Sequence, residues 1–202
     1  MRKIFAFIMT TLDGYYEGLN QEFDCWVVDE EFNEFAVEQL DEVDTLVFGR
    51  VTYEGMAAYW PTPAAEQDDA RVAARMNSLK KIVVSRTLDT AEWANTWLVK
   101  NNVSEELATL KRQPGKDIAI LGSSDLTVSL LPVGLVDELR IMVTPVVLGS
   151  GKSVFRTADE SITLKLLKSR PFSSGNVLLY YEPAARQTPG GPTRTTRTGD
   201  AA

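Results

Sequence analysis

A chain of 202 residues with 21 Lys and Arg against 28 Asp and Glu carries a formal net charge of −7. The length suits one domain with a core that needs no staples, and the acidic balance excludes the basic face that a nucleic-acid partner demands. Histidine is absent and Cys25 is the only cysteine, which removes intramolecular disulfides, ordinary zinc sites, Ser-His-Asp and Cys-His nucleophiles and the commonest general base, leaving chemistry to a cofactor or to carboxylates.

In chain order, residues 3–9 (KIFAFIM) form an apolar run that suits a strand covered on both faces. Thr10, Thr11 and Asp13 interrupt it too soon for a signal core or a membrane span, so a cytoplasmic protein without membrane association is expected. Residues 29–42 place Phe32, Phe35, Ala36 and Leu40 at helical spacing with acids in the first turn. LVF at 46–48 is a second strand, and a helix starts near Thr52 with the hydroxyl as its cap. After the break at Pro61 and Pro63 comes a polar helix through Met76, then a strand at 80–85 and a short strand at 95–100. Residues 103–113 read as a helix capped by Ser104 and stopped by Pro114-Gly115. DIAILG at 117–122 is a strand, 123–134 a helix ending at Pro132 and Gly134, and 136–149 a long strand bent at Pro145. Two strands, 161–169 and 176–182, meet through a Ser173-Ser174-Gly175-Asn176 turn.

Strands alternating with helices predict right-handed βαβ units and a mainly parallel α/β sheet, with the terminal hairpin adding antiparallel strands. The domain is expected over residues 1–183. Residues 184–202, rich in Thr, Pro, Gly and Arg and without large apolar side chains, read as a flexible tail.

In an open α/β sheet, ligands sit beyond the carboxyl ends of the strands. Three such ends read Gly49-Arg50-x-Thr52, Ser85-Arg86-Thr87 and Gly122-Ser123-Ser124. Glycine allows close approach to backbone N–H groups, a helix start adds positive partial charge, and arginine offers a fork for phosphate oxygens, so the set describes a phosphate-rich ligand. Each alone is ordinary turn composition. Neither a Walker A loop nor a GxGxxG fingerprint is present.

MTTLDGYYEG, TLVFGRVTYEGMAAYWP, KKIVVSRT, IAILGSS and GLVDELRIMVTPVVLGSGKSVF together resemble the dihydrofolate reductase-like family, in the branch of the riboflavin-biosynthesis reductase (RibD C-terminal domain). The resemblance covers roughly residues 3–181. It implies a mixed sheet of about eight strands that binds NADPH and delivers hydride to a small ring or sugar substrate, commonly in a homodimer. By that resemblance Arg50, Ser85 and Arg86, next to Gly49, embrace the adenosine 2′-phosphate. Thr52 and the turn of Gly122, Ser123, Ser124, Asp125 and Leu126 meet the pyrophosphate, while Thr11, Leu12, Asp13 and Gly14 cover the nicotinamide beside Ala6. The family has two consecutive glycines joined by a cis peptide where this chain has Gly122-Ser123, so either Ser123 tolerates that bond or the turn is trans and differs.

On the substrate side, Trp26, Tyr53, Met56, Tyr59 and Trp60 are candidates for stacking a planar ring, with Asp29 or Glu30 bonding ring N–H groups or supplying protons. Asp13 and Asp29 are the candidate catalytic carboxylates; Asp13 has the alternative role of capping its own turn. Phe32, Phe35, Trp93 and Trp97 read as packing, and Cys25 as inert. A stand-alone 5-amino-6-(5-phosphoribosylamino)uracil reductase, a dihydrofolate reductase-like enzyme and a divergent reductase all fit. A non-catalytic NADPH-binding or ligand-sensing module and a purely structural oligomer are the other readings.

Overall fold

Apolar residues run unbroken from Ile4 to Ile8, four of the five aromatic or branched, and a stretch apolar on both faces suits the inside of a sheet. In the computed structural model, which describes residues 1–19 and 26–184, this stretch lies in β1 (Ile4–Thr11) with Ile4 to Ile8 all buried. The strands that follow are β2 (Tyr15–Glu17), β3 (Val43–Gly49), β4 (Lys80–Val84), β5 (Thr96–Val99), β6 (Asp117–Leu121), β7 (Glu138–Thr144), β8 (Lys152–Ser153), β9 (Leu164–Pro171) and β10 (Val177–Pro183). Eight form one sheet in the order β5-β4-β3-β6-β1-β7-β10-β9, parallel from β5 to β7 and antiparallel beyond. The α/β class and the terminal hairpin are as the sequence predicts.

Helices α1 (Glu30–Asp41), α2 (Arg50–Tyr59) and α3 (Pro63–Ser78) contribute Phe35, Leu40, Tyr53, Val72 and Met76 to the core on one face, against Phe5, Phe7 and Phe48. On the other face α4 (Val103–Arg112) and α5 (Ser124–Leu130) pack Leu107 and Leu130 against Ala6, Ile8, Val47 and Ile120. Three layers result, and alternate residues of β1 feed both cores.

Several local expectations change. Thr52 does not cap α2: the helix starts at Arg50 behind Gly49, which leaves Thr52 in its first turn. Ser104 does not cap α4, whose N-cap is Asn102 at φ 52°. The strand expected over 136–149 stops at Thr144 because Pro145 has no N–H for the ladder. Beyond it the chain forms β8, which pairs with β2 in a two-stranded sheet that carries no apolar alternation to announce it. Trp93 is buried at 6% exposure, whereas Trp97, expected as packing, is 57% exposed on the edge strand β5. Cys25 and all of the expected tail except Ala184 lie outside the described residues.

Lys81 is a fully buried cation at the foot of β4. Its ammonium donates to the carbonyls of Asn77, Leu79 and Ala94 at 3.1, 2.8 and 3.1 Å and lies 4.4 Å from the Trp93 ring. Burial pushes its pKa from 10.5 down to about 8. The unfolded chain therefore binds this proton more tightly, so stability should rise with pH between about 8 and 10.5. Denaturant unfolding at pH 7 and 10 should show a gain on the order of 1–2 kcal/mol in the parent that is missing in Lys81→Met. A parent without that difference contradicts the burial effect.

Candidate active site

The parallel registers bring four strand ends to one edge of the sheet. Phe7 stands opposite Leu121, Val47 opposite Ile120 and Gly49 opposite Val84, so the residues following β1, β3, β4 and β6 share a rim. At that rim the junctions β3–α2 and β6–α5 are bonded to each other. The Gly49 N–H donates to Ser123 Oγ at 2.9 Å, and the Ser123 N–H donates to Thr52 Oγ1 at 3.2 Å. Ser123 Oγ in turn donates to the Leu121 carbonyl at 3.2 Å.

Gly122 and Ser123 both lie in the left-handed region, at φ 59° and 51°, and no cis peptide occurs among the described residues. The trans alternative is thus the observed one. A Cβ on Gly122 would stand 3.2 Å from Thr52 Cγ2, so glycine is needed there for both conformation and clearance. Side chains cap α1 through Asp29 and α3 through Thr62, whereas α2 and α5 begin without a side-chain cap. Two rim helices thus present uncapped first turns, which attract anions. Ser124 is buried, Leu126 packs against the core, and the Asp125 carboxylate pairs with Arg156.

Arg50 forms an exposed ion pair with Glu54 at 2.9 Å. Ser85 is buried, and its hydroxyl accepts from the N–H groups of Thr87 and Leu88 at 3.1 and 2.9 Å, which turns the chain and leaves Arg86 exposed. Arg86 makes no ion pair among the described residues. Two guanidinium groups therefore leave adjacent strand ends, one of them uncommitted.

Ala6 lies within β1, five residues before its rim end at Thr11, fully buried between Ile120 and Leu139, and offers no side-chain surface. Thr11 donates to Asp13 Oδ1 at 2.6 Å and accepts from the Tyr15 N–H at 3.0 Å. Gly14, at φ 86°, closes the turn with its N–H on the Thr11 carbonyl. Asp13 also accepts from the N–H groups of Leu148 and Gly149 at 3.1 and 2.7 Å. Led by the Thr11 hydroxyl, these donors lower its pKa to about 2. At neutral pH Asp13 has no proton to give, and its contacts are those of a loop cap. The sequence reading puts Leu148 and Gly149 only at the end of a bent strand and gives no link to Asp13, since 135 residues separate Asp13 from Leu148.

Asp29 caps α1, its Oδ1 accepting from the Phe32 N–H at 2.9 Å. Beside it the Val27 carbonyl accepts from Asn176 Nδ2 at 2.9 Å, and Glu31 accepts from the N–H and hydroxyl of Ser173. These bonds pin the chain around Val27 and the start of α1 to the β9–β10 turn, with Trp26 and Asp29 half-buried and Val28 exposed. Tyr53 is 4% exposed, accepts from the Trp93 N–H at 3.0 Å and belongs to the core. Trp60 Nε1 donates to Met56 Sδ at 2.9 Å, and both pack on that core. A cleft of 420 Å³ beside α2 is lined by Tyr53, Glu54, Ala57, Glu92 and Trp93; no cation lines it, so it is unsuited to phosphate.

The family model described as RibD C-terminal domain matches residues 2–178. The uncharacterized protein YyaP of Bacillus subtilis (strain 168) is 35% identical over 182 residues, covering 89% of this chain and 94% of that protein. A provisionally designated riboflavin biosynthesis protein from Shewanella sp. PV-4 superposes with TM-score 0.70 at 23% identity, covering 91% of this chain and 99% of that one. A dihydrofolate reductase from Enterococcus faecalis, complexed with NADP(H) and RAB-propyl, superposes with TM-score 0.60 at 19% identity, covering 91% and 97%. At such identities these two likenesses are of fold. With a family match running from one end of the sheet to the other, this chain belongs to the RibD C-terminal domain family.

Proposed function

We propose that the chain is an NADPH-dependent reductase that passes a hydride to a small heterocyclic or ribosylaminopyrimidine-type substrate. The observation that carries this reading is the bonded pair of rim junctions, where Gly122 lacks a Cβ against Thr52 and two uncapped helix starts lie side by side. The donor set fits the group. Arg50 and Arg86 supply cations for the 2′-phosphate, with Ser85 holding the turn between them and the sheet. Thr52 and the Gly122-Ser123 turn approach the pyrophosphate, and Thr11 and Gly14 carry the loop at the end of β1.

When bound, the dinucleotide supplies the hydride, which is why a site without histidine suffices. The chain's own groups bind the phosphates, orient the ring and exclude water. Asp29 is the remaining candidate carboxylate: its Oδ1 accepts from the Phe32 N–H as the α1 cap, while Asp13 is held ionised. The second reading, an NADPH-binding module without turnover, draws on Ser123, whose hydroxyl occupies the Gly49 N–H that a phosphate could otherwise use.

Fluorescence titration with NADPH, beside NADPH oxidation over pterins, ribitylated aminopyrimidines and quinones, tests both. Saturable binding with turnover of one substrate class is expected. Tight binding without turnover favours the module, and absence of binding overturns both readings.

A further inference from the structure

Three exposed features at the end of β1 belong together. Leu12 and Val147 are 66% and 70% exposed, among the most exposed large apolar side chains of the described residues. They occupy segments remote in sequence, yet the Leu12 N–H donates to the Val146 carbonyl at 2.8 Å. Asp13 makes the remaining links: one carboxylate oxygen takes the Thr11 hydroxyl and the Leu148 N–H, and the other takes the Gly149 N–H. Gly149 sits at φ 81°, a backbone conformation that costs other residues more, and its N–H is the one that reaches Asp13 at 2.7 Å. The register of β1 with β7 sets Thr11 against Thr144, so both segments leave the sheet from neighbouring strands at the rim.

Resting on the reductase reading above, we propose that Asp13 is a positioning residue: its carboxylate ties the turn after β1 to the 145–149 segment, so that Leu12 and Val147 are held as one apolar cover over the ring bound at this rim. Carboxylate is the chemistry this tie requires. Three donors converge on two oxygens, and an ionised acid accepts all three without offering a competing proton. An asparagine in its place turns an N–H₂ group towards at least one donor and breaks the tie on that side. The cover acts by excluding water and fixing the ring, and loosened placement lowers the rate of the chemical step more than it lowers phosphate binding.

Asp13→Asn breaks the tie directly and Thr11→Val loosens the carboxylate's hold on its own turn, each read by amide hydrogen exchange at Leu148 and Gly149, by NADPH affinity and by turnover. The expected result is faster exchange at those two amides in Asp13→Asn, with kcat about 10- to 100-fold lower while the NADPH Kd moves by less than about threefold. Thr11→Val should move both readouts the same way. Exchange at Leu148 and Gly149 equal to the parent overturns the tie, and faster exchange with parental kcat overturns the positioning role. If the parent binds NADPH but turns over no substrate, the reductase reading fails, and parental exchange rates in the two variants then sink the tie on their own.

Discussion

Gly122→Val should lose dinucleotide binding and a substantial part of its stability. At φ 59° a branched side chain is held in the left-handed region, and its Cβ would stand 3.2 Å from Thr52 Cγ2, in a place where Thr52 is fixed by the Ser123 N–H. The conformational cost is about 2–3 kcal/mol, which in a domain of this size lowers the thermal midpoint by roughly 4–12 °C. Relief is available only if Thr52 or the Gly122-Ser123 turn moves, and either shift separates the two helix starts. NADPH affinity is then expected to fall more than about tenfold. Gly134→Val is the matched control: its φ is 69°, but an added Cβ meets nothing within 4 Å. It carries the conformational cost without the clash and should bind NADPH like the parent. Parental NADPH affinity in Gly122→Val would remove the rim junction from the cofactor site.

The second large effect concerns the choice between dinucleotides. Arg50→Ala and Arg86→Ala should each weaken NADPH about tenfold, since a charge-assisted hydrogen bond is worth roughly 1.5–3 kcal/mol. The double variant should approach about 100-fold if the two act independently. NADH, lacking the 2′-phosphate, should bind all four proteins alike. Arg50 already pairs with Glu54 at 2.9 Å while Arg86 has no ion-pair partner among the described residues, so Arg86→Ala should be the more damaging single change. Titrations of both dinucleotides decide the matter. An equal loss for NADH and NADPH would move the arginines away from that phosphate and into general electrostatics.

How much of this was legible in the sequence depends on the range of the interaction. β1, β3, β4 and β6 could be read because a strand buried on both faces must be apolar throughout, and the rim followed because parallel strands with crossover helices all end on one side. The same strand-end argument put Gly49, Arg50, Thr52 and Gly122 at that rim, yet no local signal gives the hydrogen bonds from Gly49 to Ser123 or from Ser123 to Thr52. The caps failed for a related reason. Thr52 and Ser104 are good cap residues, but the helices start behind Gly49 and Asn102, three and two residues earlier, and tertiary geometry outranks propensity there. The roles of Asp13 and Tyr53 were hidden by composition. A carboxylate beside glycine looks the same whether it donates protons or binds distant amides, and a tyrosine on α2 looks the same whether it lines a pocket or packs on Trp93.

Strand β9 terminates the sheet with most of its side chains in water, and along it stand Lys165, Lys168 and Arg170. Two copies laid antiparallel along this border, centred between Leu166 and Leu167, would set Lys165 of each against Lys168 of the other. Like charges at facing positions repel, and lysines on a free border are a common defence against strand-by-strand polymerisation. The unpaired amides of that last strand are in this way kept from templating an aggregate.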